Sequence, residues 1–264
     1  ITDQVQDNFE ERFIEDGIEG AILSTFAPEK MVEVFRARKI PVVIINDELP
    51  ARHTGYIIDD NYGGAKKMMA HLIDGRGYES VAFVSNRLSH TSNLLRYIGY
   101  LDALDERRLQ PYRSPELGQY DLLGRVREYN RTPLAHFGLT EIPRRGSPVI
   151  LRDLSPQAAY EGVQPLLDCP ELPRAIFCTA DTIAVGVIKA IHDRGLRVPE
   201  DIAVCGYDNI EIAALTEPSI TTISVNRNGI GRAAMEMLRS YIDNPNRPSK
   251  TICLENQLVI REST

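Results

Sequence analysis

RAIFCTADTIAVGVIKAIHDRGLRVPEDIAVCGYDN (174–209) is the stretch from which the fold is read. RAIFCT (174–179) and DIAVCGY (201–207) are apolar runs of strand length. Between them, DTIAVGVIKAIHDRG (181–195) has helical period and stops at a glycine, which takes the left-handed conformation at a helix end without a Cβ penalty. The proline of RVPED then fixes the turn into the second strand. A strand, a crossover helix and a second strand form a βαβ unit, and such units build parallel sheets.

The alternation continues in both directions. Upstream, AILST (21–25) reads as a strand and PEKMVEVFRAR (28–38) as a helix with Met31, Val34 and Phe35 on one face. IPVVIIN (40–46) is a fully apolar strand of the kind buried on both sides. GYIID (55–59) is a short strand, YGGAKKMMAHLID (62–74) a helix, SVAFVS (80–85) a strand and SNLLRYIGYLDALDE (92–106) a helix. Downstream, ITTISV (220–225) is extended, RNGIGRAAMEMLRSYID (227–243) is helical, and TICLENQLVIRE (251–262) reads as two short strands. Residues 105–150 break the rhythm. They are rich in Arg, Pro and Tyr with little periodicity, and read as an insertion with local structure of its own, because a structureless loop of that length is uncommon inside a compact domain. The expected class is α/β with mostly parallel sheets.

Composition excludes several functions. A chain of 264 residues, 43% hydrophobic and 25% charged, has room for one large α/β domain or two lobes with separate cores. No apolar run is long enough to span a bilayer, so no membrane partner is expected. A formal charge of −7 is the wrong sign for neutralising phosphates, so these residues alone are not expected to grip nucleic acid. Cys169, Cys178, Cys205 and Cys253 show neither a C-x-x-C pair nor metal-ligand spacing. The last three lie in apolar runs, so buried reduced thiols are expected, together with a cytoplasmic setting and no metal or other cofactor. The sequence has no G-x-G-x-x-G after a strand, P-loop, H-E-x-x-H or G-x-S-x-G, so an enzyme is not expected.

Taken in order, DDNYGGA (59–65), HLIDGRGYESVAFVS (71–85), RYIGYLDAL (96–104), GLRVPEDIAVCGYDN (195–209), EPSITTI (217–223), IGRAAMEML (230–238) and the terminal QLVIREST resemble the effector-binding domain of the LacI/GalR family of bacterial transcriptional regulators. The resemblance covers most of residues 16–104 and 151–264. It implies a fold of the periplasmic-binding-protein type: two Rossmann-like lobes joined by crossover strands, with a small-molecule effector held between them. The N-terminal lobe would be 1–58 plus 226–247, and the C-terminal lobe 61–223 plus 250–264. It also implies a homodimer, and operator DNA bound only through an N-terminal domain absent from this sequence. Ile1 falls after the family's helix-turn-helix, hinge and first strand–helix unit, so the first lobe is expected to be incomplete, with an open sheet edge.

The resemblance also marks candidate ligand contacts. Arg96 matches the arginine that family members aim at the effector, and a guanidinium offers a rigid fork of donors. Asp208 matches the acidic residue after the G-Y pair and would accept from ligand hydroxyls. His90 and Ser92 fall where relatives place polar contacts, although a helix N-terminus would use the same residue types. Asn46 ends the apolar strand at a position often occupied by Asp. Asp60 lies at the first crossover, and Leu154 where some relatives carry an aromatic. The sequence departs from the family at Thr179-Ala180-Asp181, where Ala180 replaces the usual amide, and at Arg227, where an aromatic can sit. No tryptophan is present to stack on a sugar face, and fewer neutral donors together with the extra Arg227 favour an anionic ligand such as a phosphorylated or acidic sugar. Arg96→Ala and Asp208→Ala are each expected to abolish binding without unfolding the chain. The alternative on the same fold is the solute-binding protein of a sugar transporter.

Overall fold

The structure, a computed structural model, describes residues 17–24, 29–46, 54–88, 90–112 and 148–264. All but the two ends of the 105–150 segment lie outside the described residues. The described residues form two compact units. The first comprises those up to Asp59 together with Asn226–Leu254; the second comprises those from Asp60 to Val225 together with Glu255–Thr264.

In the first unit the strands are β1 (Ala21–Ser24), β2 (Val42–Ile45), β3 (Thr54–Asp59) and β9 (Lys250–Leu254), side by side in that order and all parallel. Helix α1 (Glu29–Ala37) lays Val32 and Phe35 on Val42, Ile44 and Tyr56. The alternate positions carry the other face. There Gly55 lies under helix α8 (Arg227–Asp243), where a Cβ would stand 2.3 Å from Met237 Sδ. Two expectations change here. Residues 250–254 pair with β3 over five positions, Gly55↔Lys250 to Asp59↔Leu254, and so belong to the first unit rather than the second. Cys253, expected to be buried, is exposed because β9 is the edge strand, whereas Cys169 is buried.

The second unit is built on a parallel sheet with order β5-β4-β6-β7: β4 is Val81–Ser85, β5 Val149–Ile150, β6 Ala175–Cys178 and β7 Ala203–Cys205. The two ends of the 105–150 segment belong to regular elements: Glu106 closes helix α3 (Thr91–Glu106), and Val149–Ile150 pairs with β4. Both faces of the sheet are covered, which is why its strands read as unbroken apolar runs. Val81, Phe83, Ala175, Phe177, Ala203 and Cys205 pack against α2 (Asn61–Ala70) and α3. Ala82, Val84, Ile176, Cys178 and Val204 pack against α4 (Pro156–Gly162), α5 (Gln164–Leu167) and α6 (Asp181–Asp193). After the short helix α7 (Ile212–Leu215), β8 (Thr222–Ser224) pairs antiparallel with β10 (Gln257–Val259) and runs beside the end of β7 through single bridges at Thr221 and Ser224.

Glycine lets helices meet closely at two crossings. A Cβ at Gly186 would lie 2.0 Å from the Pro156 carbonyl oxygen, and one at Gly99 would lie 2.6 Å from the Tyr62 carbonyl oxygen. Both obstacles are backbone, so relief requires a helix to move. Gly186→Ala is expected to destabilise the chain by roughly 1–3 kcal/mol in urea denaturation. Gly231→Ala, in a helix with nothing within 4 Å of the added carbon, is expected to stabilise it by about 0.5–1 kcal/mol.

Candidate functional site

β4 and β6 are neighbours, yet the helices that follow them lie on opposite faces: α3 with the Phe83 side, α6 with the Ile176 side. The chain diverges between their carboxyl ends, and in open parallel sheets ligands bind at such a switch point. The hydroxyls of Ser85, ending β4, and Thr179, just past β6, meet there at 3.1 Å.

Arg96 reaches this point from the second turn of α3 and is only 7% exposed. Its Nε donates to Asn61 Oδ1 at 2.7 Å, Nη1 to the Thr179 carbonyl at 2.5 Å, and Nη2 to Asp208 Oδ1 at 3.3 Å. The guanidinium carbon lies 3.6 Å from the centroid of the buried Tyr207 ring. A buried cation without partners is costly, and here a planar donor fork, a carboxylate and an aromatic face offset that cost. Tyr207 is itself fixed: its hydroxyl accepts from Asn256 Nδ2 at 2.9 Å and lies where a side chain on Gly64 would stand.

The Asp208 carboxylate is presented by an unusual backbone. Asp208 has φ +98° and Asn209 φ +49°, two successive residues outside the ordinary L-residue regions. Neighbouring groups hold them there. The Asp208 amide donates to Ile223 O at 2.9 Å, Asn209 N to Thr222 Oγ1 at 3.3 Å, and Ile210 N to Asp181 Oδ2 at 2.8 Å. Thr222 Oγ1 in turn donates to Asp181 Oδ1 at 2.6 Å, and Arg261 Nη2 donates to Asn209 Oδ1 at 2.7 Å. Asp181 is fully buried, and Gly206 leaves it room, since a Cβ there would sit 2.2 Å from Asp181 Oδ1. Burial pushes the Asp181 carboxyl up to about 6, reinforced by the charge of Asp208 and opposed by the Thr222 and Ile210 hydrogen bonds and by Arg261.

The other sequence candidates separate. His90 is the residue before α3, half-buried, and its side chain makes no capping bond to the helix; burial, helped by the Arg87 charge, holds its imidazole below the ordinary histidine range. Ser92 is half-buried in the first turn of the same helix, one turn before Arg96. Ala180 precedes α6, buried, and adds no polar group. Leu154 is 47% exposed in the loop after β5. Asp60 caps α2, its Oδ1 accepting from Gly63 N at 2.7 Å. Asn46 and Arg227 belong to the first unit. Asn46, at φ +57°, accepts from the Asp59 amide at 3.1 Å and so serves the end of β3; Arg227 begins α8, exposed. Sequence reading missed Asn61, Tyr207, Asp181, Asn209 and Arg261. The visible hint was the G-Y-D-N string itself, whose neighbours on either side of Asp208 were given no role. Among the described residues no group of three His, Cys, Asp or Glu is placed to hold a metal ion, and no helix is long and apolar enough to cross a membrane.

Comparison with known proteins gives a consistent result. Residues 69–264 match the family described as the periplasmic binding protein-like domain. The HTH-type transcriptional repressor PurR of Actinobacillus pleuropneumoniae serotype 3 is 30% identical over 234 residues, which is 88% of this chain and 60% of that protein. The ribose operon repressor of Haemophilus influenzae is 28% identical over 93% of this chain and 64% of its own length. The chain thus spans about 60% of the length of the curated relatives it matches first. Among solved structures, a LacI family transcriptional regulator from Enterococcus faecalis V583 with bound ribose is similar, with a TM-score of 0.75 at 21% identity, covering 100% of this chain and 83% of that one. The transcriptional regulator CelR in complex with cellobiose has a TM-score of 0.77 at 21% identity over 100% of this chain and 71% of that one.

Two stability predictions follow from the geometry. Arg96 joins three elements, so Arg96→Ala is expected to lower the unfolding free energy by roughly 2–4 kcal/mol in urea denaturation. Asp181, at about 6 in the folded chain and near 3.8 unfolded, holds a proton in the folded state between those values that the unfolded chain has already lost. Its contribution is therefore fully present below the unfolded value and lost as pH rises through about 6. Removing the charge should show this directly: Asp181→Asn is expected to gain on the parent chain by on the order of 1–3 kcal/mol between pH 4 and pH 7, read from denaturant midpoints at both.

Proposed function

The chain belongs to the periplasmic-binding-protein-like domain family, in the form carried by LacI/GalR regulators, and from that premise we propose that it is the effector-sensing part of a transcriptional regulator that holds a sugar or sugar derivative on Arg96 and Asp208. The observation that carries this reading is the pairing itself. A buried donor fork stands 3.3 Å from a carboxylate whose side chain is 33% exposed, at the switch point of a parallel sheet. A vicinal diol suits such a pair, since one hydroxyl donates to the carboxylate while its neighbour accepts from the guanidinium. The charge of Arg96 is already opposed by Asp208, so the pair suits a neutral polyol better than the anionic derivative that Arg227 favours in the sequence. His90, Ser92 and Leu154, on loops and a helix start of the same unit, are the further contacts we assign; Asp60 and Asn46 have structural employment instead.

Similarity to repressors, and to regulators holding ribose or cellobiose, supports the sugar class and a regulatory rather than transport or catalytic role. In this reading the chain works in the cytoplasm as a homodimer and meets operator DNA through a separate N-terminal domain. The effector acts by favouring one conformational state, which requires different affinities for the two.

A thermal-shift screen against D-ribose, cellobiose, other neutral sugars, sugar phosphates and nucleobases tests the class. A neutral sugar is expected to raise the melting temperature, with about 2.7 kcal/mol of stabilisation at a hundredfold excess over Kd. Asp208→Asn, which keeps a residue tolerant of positive φ, should weaken that binding at least tenfold by calorimetry while the far-ultraviolet circular dichroism stays unchanged. Undiminished affinity in both Asp208→Asn and Arg96→Lys overturns the assignment.

A further inference from the structure

Asp181 is the buried ionisable group with the least obvious reason to be there. It opens α6, where a carboxylate usually serves its own helix N-terminus. Its two oxygens instead go to a different part of the chain: Oδ2 to the Ile210 amide, 29 residues away, and Oδ1 to the Thr222 hydroxyl, 41 residues away. Its own amide donates to the Tyr207 carbonyl at 2.9 Å. The three contacts bracket Asp208 and Asn209, the two residues with positive φ. Nothing about α6 requires this arrangement, and it places a fully buried carboxylate near a second one.

We infer that Asp181 is a positioning residue. By holding the backbone on both sides of Asp208–Asn209 it keeps that pair in its strained conformation and thereby aims the Asp208 carboxylate at Arg96 and the ligand. The arrangement is economical in geometry. Non-glycine residues at positive φ persist only where their surroundings over-determine them. Here the Tyr207 carbonyl before the pair and the Ile210 amide after it are fixed by one residue, and Thr222, which accepts from the Asn209 amide, is fixed by the same carboxylate. Gly206 completes the device, because any side chain there would displace the Asp181 oxygen. Asp181 need not touch the ligand; it acts through Asp208. The inference rests on the effector-binding reading only in its last step, from carboxylate placement to affinity.

The test separates those steps. Amide hydrogen exchange resolved by NMR on the ligand-free chain reads the placement. In Asp181→Ala the Asp208 amide, which donates to Ile223 O, should exchange at least tenfold faster, while Ile176 and Val204 within the sheet keep their protection. Asp181→Asn retains an acceptor for Ile210 and should stay within about threefold of the parent chain, whereas Asp181→Leu, of similar volume but without an acceptor, should accelerate exchange at Asp208 as Asp181→Ala does, which a general packing role would not give. Thr222→Val, which removes one tether, should move the Asp208 amide in the same direction as Asp181→Ala and serves if that variant does not fold. Unchanged exchange at Asp208 in both, or equal acceleration at Ile176 and Val204, overturns the inference. Affinity for the sugar that gives the largest thermal shift is the second arm: it should fall in Asp181→Ala and show no further loss when Asp181→Ala is added to Asp208→Ala. A loosened Asp208 with undiminished affinity leaves the positioning intact and overturns the ligand role of Asp208 instead.

Discussion

The second unit depends on one buried cation. Arg96 sends its three nitrogens to three segments that sequence keeps apart: the start of α2 at Asn61, the end of β6 at the Thr179 carbonyl, and the loop after β7 at Asp208. Its flat face rests on Tyr207. A lysine could supply the charge but not the fork, and a single point charge does not orient three acceptors at once. The guanidinium therefore does for the carboxyl end of the sheet what the apolar side chains do for its faces. It makes the position of each strand end conditional on the others, so in the proposed function the groups offered to a ligand are set before it arrives, which is a main means by which a binding site avoids an ordering cost.

The two faces of that sheet explain why so much of the fold was legible. Strands covered on both sides must be apolar at every position, so VAFVS, AIFC and AVC stand out as runs, and the helices between them show their spacing. Arg96 and Asp208, which the structure brings together, were legible for a different reason, because they lie in strings that carry the family likeness. What escaped was relational. Asn61 and Thr179 lie 35 and 83 residues from Arg96, and the Thr179 contact is made by a backbone carbonyl, which leaves no mark in sequence. The backbone bonds that Asp60 and Asn46 accept were not legible either, because caps and ligand contacts draw on the same small polar residues. The resemblance puts residues 250–264 together in the second unit, whereas β9 pairs with β3 and the division falls after Leu254, a pairing that the sequence of an edge strand does not encode.

The site also shows how local strain and global order are connected. The Asp208–Asn209 pair follows β7; β8 holds it through the Ile223 carbonyl and the Thr222 hydroxyl, and α6 holds the flanking Ile210 amide through Asp181. Local propensity argues against this conformation for a non-glycine residue, and tertiary structure overrides it. Such conflicts mark positions selected for something besides stability. The rest of the unit, including the close helix crossings at Gly99 and Gly186, shows agreement between local and global preference.

Under the proposed function, the backbone at Asp208 limits how a sensor of this kind diversifies. With φ at +98°, the position admits a very short menu of side chains; valine, isoleucine or threonine would meet steric conflict before meeting any ligand. Evolution or an engineer seeking a new effector therefore has little freedom at the residue that presents the acceptor. The variable letters must be elsewhere, on ordinary backbone such as that of His90, Ser92 and Leu154. The recognition surface divides accordingly into a fixed anchor and an adaptable rim. New specificities should arise by redecorating the rim while the anchor continues to grasp the part of the molecule that all its ligands share.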